Sequence, residues 1–184
     1  MSLLAEEIWA IVKGLSAMPA GVVAIPLTRG LRALVDEADA PLVVGRPWHA
    51  QDGRQSRENW YAAQWDAGRA PRSLIMMHRR ILSVHASLEV DHANGIGLDN
   101  RRENLRPCTR SLNTANNAVR LADSGFHGVW RHGRWFRARI KVDGRTQHLG
   151  YFDEAQVAAR AYDAAAIDAF GEFARLNFPD ERRA

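Results

Sequence analysis

At 184 residues the chain fits one large or two small domains, and no run approaches the ~18 continuous apolar residues that a membrane span requires. The single cysteine, Cys108, excludes an internal disulfide and a Cys-rich zinc site, which points to a reducing, cytoplasmic setting. The net charge of +4 conceals its distribution: residues 1–68 carry −2, 69–121 carry +5, 125–152 carry +5 and 153–178 carry −3. Two basic blocks suggest two surfaces facing a polyanion, of which nucleic acid is the commonest, the alternative being a solvated charged surface.

Taken in chain order, residues 1–21 read as a short amphipathic helix, since Glu6 and Glu7 stand where a signal peptide would carry Lys or Arg. Residues 27–35 mix turn and strand signals, and Asp36 to Asp39 form a polar turn. Two apolar runs, Asn59 to Trp65 and Ser73 to Met77, read as a hairpin connected through Gly68 and Pro71. Trp48, Trp60 and Trp65 are expected in the core. His78 to His85 predicts a short helix. Strands are expected at Leu88 to Asp91 and Leu105 to Cys108, around a loop rich in Gly and Asn, and a helix follows from Arg110 to about Leu121. Cys108 is most simply a buried strand residue.

The chemistry lies in residues 90–117. Cutting a phosphodiester needs a base to activate water, a cation to offset charge on the leaving oxygen, and a scaffold holding both in line. An Asp91-His92 pair at a strand end can supply the first two, and a regular strand sends the two side chains to opposite faces. A hard ion such as Mg²⁺ would use the Asp91 carboxylate and an amide oxygen while keeping several waters. His92, Asn104 and Asn113 stand at spacings that resemble the HNH homing-endonuclease family of the phage and bacterial type. The resemblance implies a ββα-metal unit in which His92 is the general base and Asp91 a ligand of Mg²⁺ (or Mn²⁺). Asn104 is the central catalytic-motif Asn, fixing the loop through backbone hydrogen bonds, and Asn113 is the second ligand. Asn117, one helical turn on, is the alternative ligand, and His78 resembles a supporting upstream His.

Beyond a compact linker at residues 122–125, period-two alternation appears in Trp135 to Val142. Phe136, Ala138 and Ile140 point to one face, and Arg137, Arg139 and Lys141 to the other. An Asp143-Gly144 turn and a strand from Thr146 to Phe152 follow. An Ala-rich helix runs from Glu154 to about Phe170, opened by Asp153 with Gln156 three residues on as in a capping box. This segment resembles the AP2 DNA-binding domain through residues 125–130, Trp135-Phe136, residues 149–152, residues 158–163 and residues 176–179. The resemblance implies a three-stranded sheet packed on one helix, with Trp130, Arg137, Arg139, Lys141, Thr146 and His148 facing duplex DNA. Trp130 and Arg139 depart from the residues usual in plant relatives, so base preference is not carried over.

The sequence therefore leads to an α+β chain. It comprises an N-terminal helical extension (1–24), an HNH nuclease domain (25–121), a linker (122–125) and an AP2-like domain (126–179). The expected function is a metal-dependent, homing-like DNA endonuclease in a bacterial or phage-infected cell, bound to double-stranded DNA, with no membrane and no implied protein partner. The rival is a non-catalytic DNA-binding regulator. RNA is disfavoured, because a sheet cannot reach base edges in the deep, narrow A-form major groove.

Overall fold

A computed structural model describes residues 5–53, 59–66, 68, 73–116 and 123–183. It is mixed α and β, built on small antiparallel sheets, in two compact units, Met1–Cys108 and Thr109–Ala184.

The first unit begins with α1 (Ala5–Val12), whose Ile8, Ile11 and Val12 form a buried stripe at helical spacing. That stripe joins the main core together with Ile25, Leu34, Val35, Val43 and Leu98. Within the N-terminal extension, α1 is thus part of the core, because its apolar face needs a partner to leave water. Strands β1 (Val22–Pro26) and β2 (Arg32–Asp36) pair antiparallel, and α2 (Ala40–Val43) follows the turn at Glu37–Asp39. Strands β3 (His49–Asp52), β4 (Trp60–Trp65) and β5 (Leu74–Met76) form a sheet with β4 at its centre. Trp65 pairs with Leu74, as a hairpin between β4 and β5 requires, and Pro71 of the expected turn lies outside the described residues. Trp48 is buried, its indole N–H donating to the Val43 carbonyl at 2.8 Å, and Trp60 packs against the core. Trp65 departs from expectation: it is 54% exposed and stacks on His49, because it ends β4 beyond the core layer.

Helix α3 (Met77–Leu82) stops where Ser83 turns left-handed, three residues short of His85. Strands β6 (Glu89–His92) and β7 (Leu105–Cys108) pair antiparallel, one residue later at the start than the sequence suggested, so His92 lies within the strand. Cys108 is buried at the end of β7, and burial pushes its thiol up to about 11.

The second unit opens with α4 (Arg110–Asn116); the expected continuation through Asn117 to Leu121 lies outside the described residues. Leu112 packs with the cluster of Ile140, Ala166 and Phe170, and the Ser111 hydroxyl donates to Asp143 at 2.9 Å. These contacts group α4 with the C-terminal unit, whereas its motif spacing had pointed to the nuclease domain. Strands β8 (Val129–His132), β9 (Trp135–Val142) and β10 (Arg145–Phe152) form a sheet with β9 central. Asp143 and Gly144 both take positive φ, +48° and +81°, the pairing a tight hairpin turn with matching twist demands. Helix α5 (Ala155–Phe170) covers the sheet through Ala158, Ala159 and Ala166, all buried, with Val129, Ala138 and Ile140 beneath. The helix opens at Glu154 with no side-chain capping bond, so the expected Asp153–Gln156 box does not form. Gly128 permits the closest approach: a Cβ there would stand 1.9 Å from the Tyr162 ring.

Candidate functional site

His92 ends β6 and Asp91 precedes it. Cross-strand partners share a face, and Asp91 sits directly opposite Arg106, whose guanidinium donates to its carboxylate through Nε at 3.1 Å and through Nη2. His92 points to the opposite face, as strand alternation requires. There its ring meets His78 edge-on, with centroids 5.0 Å apart and planes at 84°, and Tyr61 at 5.6 Å and 62°. Tyr61 and His78 are 6.1 Å apart, so the three rings close a triangle drawn from β4, α3 and β6.

Burial dominates the electrostatics of this triangle. His92 is 5% exposed and its basicity is pushed down to about 4; Asp91, Asp99 and a hydrogen bond with Asn100 pull less strongly the other way. Burial also holds His78 well below the ordinary range, and the neighbouring His92 and Arg79 add to the effect. Both rings are therefore neutral near pH 7. Nδ1 of His78 has no hydrogen-bond partner among the described residues.

The loop between β6 and β7 is held from within by Asn104, which is 5% exposed. Its side-chain oxygen accepts from the Asn94 N–H at 2.9 Å and its amide donates to the Asp99 carbonyl at 2.7 Å. The Asn104 carbonyl also accepts from the Ala93 N–H at 2.9 Å. Asn104 thus holds the loop and touches neither His92 nor Asp91 through any of these bonds. Fully buried Asp99 anchors the loop further, taking two bonds from Arg101 at 2.8 Å and one from the Asn94 amide at 2.8 Å. Leu34 of β2 clips the same segment, donating to the Leu98 carbonyl at 2.8 Å and accepting from the Asn100 N–H at 2.7 Å. Arg102 ties it to Asp39 at 2.7 Å and, through its backbone N–H, to Asp36 at 2.8 Å.

Asn113 lies on α4, in the second unit. Among the described residues, no three His, Cys, Asp or Glu side chains gather as a metal cage. Asn117 is outside the described residues.

The six expected DNA-facing residues of the second unit share one face. The register pairs Trp130 with Arg137, Arg139 with His148, and Lys141 with Thr146, and the three basic residues alternate along β9 with inward Phe136, Ala138 and Ile140. Arg139 lies over the Trp130 ring at 4.1 Å. The register adds His132, paired with Trp135, and Tyr151, paired with Arg137, to the same face, with Tyr151 in ring contact with both His132 and His148. The reverse side is closed by Asp163, which accepts from the backbone N–H groups of Asn177 and Phe178, while Asn177 accepts from the His127 N–H at 2.7 Å.

Sequence reasoning did not find Arg106, Tyr61, His132 or Tyr151. Arg106 was accessible in principle, since pairing the two expected strands places it opposite Asp91. Tyr61 left no local signal, because its contacts with His92 bridge distant parts of the chain.

No family model matches the chain. Two AP2-like ethylene-responsive transcription factors of Arabidopsis thaliana are each 43% identical over 51 residues, covering 28% of this chain and 16% and 14% of theirs. A third, TOE2, is 36% identical over 77 residues, 40% of this chain and 16% of its own length. The chain thus spans only about one-sixth of these plant proteins. An uncharacterized HNH endonuclease of Acanthamoeba polyphaga mimivirus is 24% identical over 155 residues, 81% of this chain and 76% of the viral protein. Among the described residues no helix is long and apolar enough to cross a membrane. The chain is therefore similar, at low identity over most of its length, to an HNH endonuclease, and over a short segment to AP2-like factors.

Proposed function

We propose that the chain is a metal-dependent DNA endonuclease of the HNH type, homing-like in organisation, whose C-terminal sheet binds duplex DNA. The observation that carries the reading is the end of β6, where a neutral His92 and an acidic Asp91 diverge to opposite faces beside a loop clasped by Asn104. His92, uncharged near neutrality, can accept a proton from water. By the motif spacing, Asp91 would supply one hard oxygen ligand and Asn113 would supply an amide oxygen. One carboxylate with amide oxygen and water suits Mg²⁺ or Mn²⁺, which keep much of their hydration, and does not suit a zinc cage. The bound ion would offset charge on the leaving oxygen. The Arg106–Asp91 pair sets a competition, because a cation must share or displace that guanidinium. The sheet's three cations and flanking aromatics suit phosphate and base-edge contacts in a major groove.

The same Arg106 pairing and the burial of His92 favour a second reading, in which the chain binds DNA without cutting it and the motif serves as scaffold. Supercoiled plasmid incubated with purified protein, with and without Mg²⁺, separates the two. The nuclease reading expects nicked or linear product only with metal. His92→Ala should then slow cleavage by ~10²-fold or more with DNA binding nearly intact. Full cleavage by His92→Ala would remove His92 from the chemistry.

A further inference from the structure

We infer that Tyr61 is a positioning residue of the His92 imidazole, a role that rests on the nuclease reading of His92. Tyr61 stands on β4, the central strand of its sheet, hydrogen-bonded to β3 on one edge and β5 on the other. Its neighbours Ala62 and Ala63 are both buried, so the strand cannot shift without disturbing the core. The ring is gripped at both edges by glycines that have ordinary φ and are needed for space. A Cβ on Gly53 would lie 2.9 Å from Tyr61 Cε2 and 2.7 Å from the Asn59 carbonyl oxygen. A Cβ on Gly97 would lie 2.5 Å from Tyr61 Cδ1 and Cε1 and 2.6 Å from the Trp60 carbonyl oxygen. Non-bonded atoms do not approach so closely, so any larger residue at Gly97 displaces either the ring or the loop that follows His92.

Asn59 locks the same arrangement by hydrogen bonds. Its amide Nδ2 donates to the Tyr61 hydroxyl at 3.1 Å, and its Oδ1 accepts from the Gly97 N–H at 3.3 Å. The Tyr61 ring, so held, lies tilted against the His92 ring at 5.6 Å. Tyr61 therefore touches both the His92 imidazole and the loop that carries the chain away from it. His78 forms the second wall, edge-on at 5.0 Å. An imidazole has two free side-chain torsions, and with both walls in place its ring nitrogens keep one direction. Aiming a base this way matters because small misplacements cost up to about 10²-fold in rate.

The test compares wild type, Tyr61→Phe, Tyr61→Leu and Gly97→Ala in full-length protein. Single-turnover cleavage of a labelled duplex in Mg²⁺ is measured alongside duplex affinity without divalent metal. Tyr61→Leu and Gly97→Ala should each slow cleavage roughly 10- to 100-fold with affinity unchanged. Tyr61→Phe, which keeps the ring, should recover most of the rate. The ring-proton resonances of His92, assigned by their disappearance in His92→Ala, should move in Tyr61→Leu and hold in Tyr61→Phe, because the aromatic neighbour sets their ring-current shift. Should Tyr61→Leu fail to fold, Gly97→Ala decides, with a wild-type rate overturning the role. A wild-type chain that cuts DNA beside an equally active Tyr61→Leu overturns the positioning role alone. A wild-type chain that leaves DNA intact overturns the nuclease reading and this role with it.

Discussion

Three of the buried ionisable side chains of the first unit, His78, His92 and Asp91, set the character of its candidate site. His78 and His92 are held neutral by burial, both below the ordinary imidazole value, so the unfolded chain binds more protons than the folded one as pH falls below about 6.5. Stability from these two residues is complete above that pH and is lost as pH drops toward about 4, the folded value of His92. His92 alone contributes on the order of 3 kcal/mol over that window. The melting temperature should therefore fall clearly between pH 7 and pH 5, with His78→Leu flattening part of the slope; equal melting at both values would contradict the burial of these rings. Asp91, the third, depends on Arg106, whose side chain is 17% exposed. Arg106→Ala strips a buried carboxylate of its cation and should destabilise the protein by on the order of 3 kcal/mol at neutral pH. Added Mg²⁺ should raise the melting temperature of that variant more than that of wild type, which thermal scans with and without the ion would show.

Among the elements, the β6–β7 connection depends most on a single residue. Asn104 satisfies a part-buried N–H and a buried carbonyl of its own loop, so Asn104→Ala should cost about 1–3 kcal/mol and speed hydrogen exchange at the Asn94 amide. Unaltered protection at Asn94 would show that the backbone bonds suffice alone. The spacing of His92 and Asn104 was legible in the sequence, while the loop-fixing role of Asn104 was implied only by the resemblance to the HNH family. Asp99 lies in the loop rich in Gly and Asn, yet it is fully buried with Arg101 and Asn94 on its oxygens. Local sequence cannot show that a polar turn will be covered, since covering comes from β2, far away in the chain. Trp65 shows the converse error: an aromatic at strand spacing that the strand's end leaves in solvent.

At the scale of the whole molecule, the nuclease reading puts the general base His92 and the duplex-binding sheet in different units. Arg137 and Arg139 belong to the sheet face of the second unit, while His92 belongs to the first. Reversing both to Glu should weaken duplex binding strongly. It should also lower the slope of log affinity against log salt by about one unit for each phosphate no longer neutralised. Cleavage at saturating DNA should keep its rate. Titrations at several salt concentrations check the first outcome and single-turnover kinetics the second; wild-type affinity in the double variant would remove this sheet from the DNA surface. The position of α4 bears on truncation. A chain cut after residue 121 keeps the helix but removes Ile140, Ala166 and Phe170, against which Leu112 packs. The sequence placed that helix with the nuclease unit because the motif spacing runs through it.

The sequence by itself determined the local grammar: the amphipathic α1, the Asp143–Gly144 hairpin, the alternation that puts Arg137, Arg139 and Lys141 opposite Phe136, Ala138 and Ile140, and the His92–Asn104–Asn113 spacing. The first three depend on backbone periodicity or turn geometry, which neighbouring residues dictate, and the motif spacing takes its meaning from the resemblance to the HNH family. Tertiary structure decided the rest: the burial that neutralises His92, the Arg106 pairing of Asp91, the Tyr61 ring wedged between Gly53 and Gly97, and the membership of α4. These depend on which distant segments meet and on how completely they exclude water, and no short window of sequence carries that information.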